Sequence, residues 1–345
     1  MLGWRPFFRE QVTADEAAEG WRPARVCQGK ARRCHVWSER GTHSLEVNLF
    51  GEEGLPAVGD WLMIDPKQKQ PPRRLERFSA LTRQAPGSKF ATQVLAANVD
   101  TLLIVTACNQ EFNVGRIERY LALAAEARTR PVLVLTKADL SEPDPRLFID
   151  QARTLGEHLR IECLDARDPD QLEPIRKLCG PGQTVAALGS SGVGKSTLIN
   201  GLTGLTGEAG QRVGEVRGDD NKGKHTTSSR SLHPLPAGGV LVDLPGIREL
   251  QLTEAGDGID DTFAEITALI ADCRFNNCSH TNEPGCAVTA ALAQGTLDPR
   301  RLENYRKLRG EQKVYTAAKA DRTRRDDQRS ISKKAQRRLD KEERD

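Results

Sequence analysis

The sequence predicts a multidomain α/β protein with an all-β N-terminal region, an open, mostly parallel sheet flanked by helices, and a helical C-terminal region bearing a Cys/His cluster. Three observations lead there. Residues 1 to about 90 hold short alternating apolar runs between Gly, Pro and charged turns; apolar strands then alternate with helical stretches; strand signals end near residue 250. A length of 345 residues accommodates two or three domains.

In the first region, Ser44-Leu45-Glu46-Val47-Asn48-Leu49 alternates, and Val58 to Ile64 gives a second run. No long amphipathic helix interrupts them, so a small barrel is the economical reading, because closure removes strand edges. Such barrels offer a face to oligonucleotides or serve equally as packing domains without a ligand. From residue 91 the strand candidates are Thr101 to Ala107, Pro131 to Leu135, Thr184 to Leu188 and Val240 to Leu244, with helices around Arg116 to Arg128 and Lys195 to Leu202. Near-continuous apolar strands of this kind belong to parallel sheets covered on both faces. A final helix is expected to start at Asp298-Pro299, an N-cap followed by proline in the first turn. The last 35 residues are highly charged and are not expected to pack on their own.

Composition excludes several classes. The longest purely aliphatic run, Leu102 to Val105, is far short of the roughly 20 residues that span a bilayer. Met1 to Gln11 contains Trp4, Arg5, Pro6 and Arg9 and has no apolar secretory core. Eight cysteines in a chain this long are too sparse for a disulfide scaffold. A soluble, cytoplasmic monomer without a membrane partner is expected. The formal charge of +3 hides a pattern: residues 1–90 carry 15 basic and 11 acidic side chains, 91–310 carry 24 and 29, and 311–345 carry 12 and 8.

Gly189-Ser190-Ser191-Gly192-Val193-Gly194-Lys195-Ser196-Thr197 fits G-x-x-x-x-G-K-[ST] between an apolar strand and a helix. In such a P-loop the backbone N–H groups curl around phosphate, Lys195 brings a point charge, and Ser196 offers a hydroxyl to Mg²⁺. Thr136-Lys137-Ala138-Asp139 follows a strand at the end where open sheets bind ligands. The carboxylate of Asp139 suits the N1–H and exocyclic amine of guanine, whereas adenine presents an acceptor at N1, so GTP is selected over ATP. Asp243-Leu244-Pro245-Gly246 ends another strand and resembles the D-x-x-G switch of GTPases, with Asp243 reaching Mg²⁺ through water and the Gly246 amide contacting the γ-phosphate. Between it and the P-loop lies the polar, Gly-rich segment 207–229, in which Thr226 or Thr227 is the Mg²⁺ hydroxyl. Ordinary GTPases place the guanine-reading motif after the P-loop and switches. Here it comes first, so the domain reads as a circularly permuted P-loop GTPase.

With Gly3-Trp4, Pro56-Ala57-Val58-Gly59-Asp60-Trp61, Ala96-Ala97-Asn98-Val99-Asp100, the three nucleotide motifs, Gly223-Lys224-His225-Thr226-Thr227 and the Cys/His cluster, the chain resembles the ribosome small-subunit-dependent GTPase A family over nearly its whole length. The resemblance implies an OB-type barrel that binds oligonucleotides, a permuted GTPase domain, a zinc domain and a late role in maturation of the 30S ribosomal subunit. Two positions depart from the family pattern: Asp165-Ala166 stands where Ser-Ala is usual, and Lys224 where Arg is usual. Many signalling GTPases orient the attacking water with a Gln directly after D-x-x-G. This chain has Ile247, so slow intrinsic turnover is expected, with a partner or another side chain supplying the function; the resemblance offers His225 as the catalytic candidate.

Cys273, Cys278, His280 and Cys286 place three thiols and one imidazole within 14 residues. That closed four-donor set leaves no vacancy for a catalytic water, so one structural Zn²⁺ is expected. The other five cysteines show no ligand spacing and receive no role. Arg22, Arg25, Lys30, Arg32 and Arg33 around Trp21 and Trp37, and the basic pairs between Arg322 and Arg338, suit contacts with rRNA phosphates and bases. The expected division is a barrel at 1–90, a permuted GTPase at 91–255, a zinc-binding helical domain at 256–310 and a charged tail at 311–345. The expected activity is Mg²⁺-dependent GTP hydrolysis stimulated by the 30S subunit and coupled to release. The alternative is a GTP-gated RNA-binding scaffold with incidental turnover.

Overall fold

The computed structural model describes residues 2–30, 33–46, 56–67, 69–85, 92–205, 230–244, 252–253 and 255–342. Their contacts divide into two compact units, 1–82 with 94–250, and 83–93 with 251–345.

The first unit begins with two short helices, α1 (Pro6–Arg9) and α2 (Ala14–Ala18), the latter started by a reciprocal Thr13–Glu16 capping box. Strand β1 (Arg22–Lys30) pairs antiparallel with β2 (Arg33–Ser38), which pairs with β3 (Gly41–Glu46). Along its other edge β1 pairs with β4 (Trp61–Ile64), which continues to β5 (Arg73–Arg74). Alternation along β4 sends Leu62 and Ile64 to a cluster with Ala24, Val26 and Val36, while Trp61 and Met63 join Phe8, Leu75 and Trp21 on the opposite face. Apolar clusters on both faces explain why Trp61 to Ile64 reads as a continuous apolar run. The Val47 to Leu49 part of the other run lies outside the described residues.

The chain then forms the hairpin β6 (Ala80–Gln84) and β7 (Thr92–Ala97) and enters β8 (Thr101–Ala107), buried at every position. Helix α3 (Val114–Glu126) follows, its N-terminus capped by Asn113 Oδ1, which accepts from Arg116 N–H at 2.8 Å. Strand β9 (Arg130–Thr136), helix α4 (Pro145–Arg153), β10 (Arg160–Cys163), the short helix α5 (Glu173–Arg176), β11 (Thr184–Gly189) and α6 (Lys195–Thr203) complete the βα alternation. Strand β12 (Ser231–Pro234) returns antiparallel to β13 (Val240–Asp243).

The order β10-β9-β8-β11-β13 is parallel throughout. Successive strands run outward from β8 in one direction and then restart beyond it at β11, so the strand order reverses between β8 and β11. Crevices at such reversals, at the carboxyl ends of the strands, are where open α/β sheets bind ligands. Beyond β13 the sheet continues through β12 to β1, where Gln28 pairs with Ser231, so the N-terminal strands and the parallel sheet form one eleven-stranded surface.

Arg25 corrects a reading of the sequence. It was grouped with RNA-facing cations, yet it is only 1% exposed and lies within this unit. Its guanidinium donates to Leu2 O, to Thr184 Oγ1 at 2.8 Å and to Gly59 O at 3.4 Å, and sits over the Trp61 ring. Desolvation brings its pKa down to about 9 against the pull of Asp100, leaving it charged at neutral pH. Arg22 and Arg33 are exposed, while Trp21 and Trp37 are half-buried.

Apart from residues 83–93, the second unit is helical among its described residues: α7 (Gly256–Thr262), α8 (Ala264–Ala271), α9 (Ala287–Ala293) and α10 (Pro299–Glu342). Ile259, Phe263, Ile266, Val288, Leu302, Tyr305 and Leu308 are buried, and Arg309 pairs with Asp260. Helix α10 starts where expected, with Arg300 N–H donating to Asp298 Oδ1 at 2.8 Å. It also runs through the segment expected to be an unpacked tail. Residues 321–325 are helical and exposed, and Arg325 pairs with Asp321 one turn earlier. Ala, Lys, Arg, Glu and Gln favour the helix locally, so it continues through these exposed residues.

Candidate active site

The P-loop turns out of β11 into α6 across the β8–β11 reversal. Gly189 admits no side chain, because a Cβ there would stand 2.4 Å from Val105 O. Gly194 has φ +86°, and its Cβ would crowd Thr136 Oγ1 at 3.1 Å. Thr136 accounts for that approach. Its hydroxyl donates to Val193 O at 2.5 Å, so the first residue of the guanine-reading motif holds the P-loop backbone from beneath. Ser190 is buried and turned toward α3, accepting from Arg116 Nη1 at 2.7 Å. This leaves its backbone, not its hydroxyl, for phosphate.

At the phosphate end, Lys195 Nζ donates to Asp243 Oδ1; these side chains are 10% and 5% exposed. The P-loop lysine and the D-x-x-G aspartate, 48 residues apart, are thus in contact. Ser196 and Thr197 are half-buried at the start of α6. Gly246, His225, Thr226, Thr227 and Ile247 lie outside the described residues.

At the base end, Lys137 is left-handed at φ 59° and opens a 3-10 turn over Ala138–Leu140, presenting Asp139 with an accessible carboxylate. Arg167 donates to Asp139 Oδ2 and to both oxygens of Asp165, at 3.0 Å each. The hydrogen bond from Arg167 draws the Asp165 carboxyl below its usual range. Thus Thr136–Asp139 and Asp165–Ala166 meet at one place, with Arg167 as the link that sequence reasoning missed; its adjacency to Asp165-Ala166 was the only signal.

The four donors of the Cys/His cluster lie within 4.8 Å of one another. Cys273 Sγ is 3.5 Å from His280 Nδ1 and 3.9 Å from Cys286 Sγ, and Cys286 Sγ is 3.7 Å from His280 Nδ1. A tetrahedral ion with bonds of about 2.3 Å to sulfur and 2.05 Å to nitrogen requires edges of about 3.8 and 3.6 Å, which the Cys273, His280 and Cys286 spacings match, with Cys278 inside the 4.8 Å limit of the group. Cys286 caps α9, accepting from Thr289 N–H at 3.5 Å; against the desolvation that opposes it, this contact and His280 bring the thiol down to about 6. Glu283 templates the loop by accepting from the backbone N–H groups of Ser279, Thr281 and Asn282; the Ser279 hydroxyl, followed by the Ser279 and Thr281 N–H groups, lowers its carboxyl to about 2.

The chain matches the family model described as RsgA GTPase over residues 74–253. The small ribosomal subunit biogenesis GTPase RsgA 2 of Vibrio vulnificus (strain CMCP6) is 47% identical over 317 residues, covering 92% of this chain and 88% of that protein. The small ribosomal subunit biogenesis GTPase RsgA of Mesorhizobium japonicum is 46% identical over 315 residues, covering 91% and 90%. The crystal structure of YjeQ from Thermotoga maritima shares the fold at a TM-score of 0.60 and 23% identity, over 84% of this chain and 97% of that one. YloQ, described as a circularly permuted GTPase, does so at 0.56 and 20%, over 88% and 96%.

Proposed function

The chain belongs to the RsgA GTPase family and is a GTP-hydrolysing enzyme of circularly permuted fold; from that premise we propose that it acts in biogenesis of the small ribosomal subunit, docking on the 30S particle and its rRNA in the GTP-bound state and leaving after subunit-stimulated hydrolysis. The observation that carries the reading is the meeting of Lys195 with Asp243 at one end of the site and of Asp139 with the Asp165 loop at the other.

In this reading the P-loop backbone and Lys195 hold the phosphates, and Asp139 reads the base. Ser196, Asp243 and Thr226 or Thr227 would hold Mg²⁺, which would neutralise phosphate charge. His225 is the proposed water-orienting residue, on sequence alone. Eight residues after Asp243 the chain enters the second unit, so loss of the γ-phosphate would have a short covalent route to the segments proposed to touch rRNA. The proposed division of labour is a barrel at 1–90, the GTPase at 91–255, a zinc region at 256–310 and basic residues from 311 onward, working in the cytoplasm as a monomer. No helix among the described residues is long and apolar enough to cross a membrane.

Two measurements test this. GTP hydrolysis is compared with and without purified 30S subunits: stimulation is expected, and equal rates would favour a scaffold with incidental turnover. Elemental analysis of freshly purified protein should find one zinc per chain, because three thiols and an imidazole form a closed set without a reactive position. Zinc-free protein with an intact second unit would remove the structural assignment.

A further inference from the structure

We propose that Cys108 and Cys163 form a reversible oxidation site that couples thiol redox state to guanine binding; the second half of the proposal rests on the reading of Asp139 as the base reader. The two sulfurs are 3.9 Å apart, although 55 residues separate them and β9 lies between their strands. Cys108 directly follows β8, and its N–H donates to Thr136 O at 2.9 Å. Cys163 ends β10, and the N–H of the next residue, Leu164, donates to Leu135 O at 2.9 Å. Each thiol is therefore fastened beside the point where β9 gives way to Thr136–Asp139, and Cys163 stands two residues before Asp165-Ala166.

The two thiols differ in access. Cys108 is 1% exposed, whereas Cys163 is half-buried. Mutual contact between the sulfurs raises the Cys108 thiol and lowers that of Cys163, in the same sense as the difference in access. Cys163 is thus the attacking sulfur and Cys108 the resolving one. Burial pushes Cys27 and Cys34 up to about 11 and Cys179 up to about 12, which disfavours their thiolates.

With a hydroperoxide as oxidant, the Cys163 thiolate attacks the distal peroxide oxygen, the O–O bond breaks, and the leaving alkoxide or hydroxide takes up a proton, giving a sulfenic acid. The Cys108 sulfur then attacks the sulfenic sulfur, the S–O bond breaks, and water departs carrying the thiol proton. The two cysteines lose two electrons and the peroxide gains them; a dithiol reductant restores both thiols. A disulfide needs an S–S distance of about 2.05 Å, so the sulfurs must close by about 1.9 Å. Closing them across β9 draws together strand ends two spacings apart, which displaces the loops that carry Asp139 and Asp165.

The test treats the full-length protein with hydrogen peroxide, blocks free thiols with N-ethylmaleimide and maps the digested peptides, while a fluorescent GTP analogue reports affinity before treatment, after it and after dithiothreitol. A linked Cys108–Cys163 peptide is expected, with a loss of affinity of roughly tenfold, within the usual range for coupled sites, reversed by the reductant. Cys108→Ser and Cys163→Ser should each bind the analogue like the wild type and keep that affinity after peroxide. Absence of the linked peptide, an unchanged affinity once it has formed, or an equal loss in Cys163→Ser, which would assign the effect to the 273–286 cluster, overturns the proposal. If Asp139→Asn binds the analogue normally while oxidation still weakens the wild type, the thiol site stands and only the base assignment falls.

Discussion

Asp139 shows how much chemistry one carboxylate carries. The carboxylate is accessible and accepts from Arg167 through Oδ2; its two acceptor oxygens suit the two N–H donors of guanine. Asp139→Asn replaces one acceptor oxygen with an amide that points its own N–H at a donor. We expect a loss of about 1.5–3 kcal/mol in GTP affinity, roughly 10- to 160-fold, with the melting temperature of the nucleotide-free protein little changed. Titration with a fluorescent GTP analogue checks this, and unchanged affinity would remove the base assignment. Other residues were less legible. Thr136 was recognised through its motif, but its hydroxyl holds Val193 O, a contact invisible in a tetrapeptide because its partner is 57 residues away. Arg25 was misread because a local run of cations says nothing about which side chain a later strand will cover; Trp61 and Thr184 lie 36 and 159 residues downstream.

Among the elements, long apolar strands were the most readable. Strand β8 occupies the residues expected of it, because a strand buried on both faces has to be apolar at successive positions. Strand β12 was missed. Ser231-Leu232-His233-Pro234 is short and largely polar, and its conformation is decided by β13 on one side and β1 on the other. That strand also carries a pH dependence. Burial lowers the pKa of His233 from the ordinary imidazole value, with Asp243 opposing, and its Nε2 lies 2.8 Å from Ser231 Oγ. As pH falls through the ordinary imidazole range, near 6.5, the unfolded chain takes up a proton that the folded state accepts only at lower pH, so stability declines in that window. Urea unfolding at pH 7.5 and 5.5 should show a larger drop for the wild type than for His233→Gln. Equal drops would mean that the burial of His233 does not set the pH dependence of stability.

Across the whole molecule, the modest net charge of +3 conceals basic ends around an acidic middle. Helix α10 gives the C-terminal end a form that the sequence reading did not anticipate. Through Tyr315 it is tied into its unit: Tyr315 is buried with its hydroxyl 2.9 Å from Thr92 Oγ1, and Gln312 accepts from Ala255 N–H. Beyond residue 320 its described residues are exposed. Truncation after Ala320 therefore keeps the packed part and removes charge. It should weaken binding to the 30S subunit at low salt and flatten the salt dependence, since each phosphate contact contributes a slope of about 0.7 to 0.9 in the log–log plot. Sedimentation binding assays from 50 to 300 mM KCl provide the check, and a parallel loss at all salt concentrations would indicate shape recognition instead.

The sequence by itself determined the βα texture, the P-loop, the order of motifs that marks the permutation and the four donors of the Cys/His cluster. Each is written in residues close together in the chain, where spacing and residue type suffice. Only the tertiary structure decided which cations are buried, that Thr136 supports the P-loop, that Arg167 joins the two base-end loops, that β12 joins the N-terminal strands to the parallel sheet, and that two cysteines without ligand spacing meet beside the site. The physical reason is common to all five. These contacts pair residues that strand order brings together across the sheet or at its carboxyl edge, and strand order depends on packing over the whole chain, which no local pattern encodes.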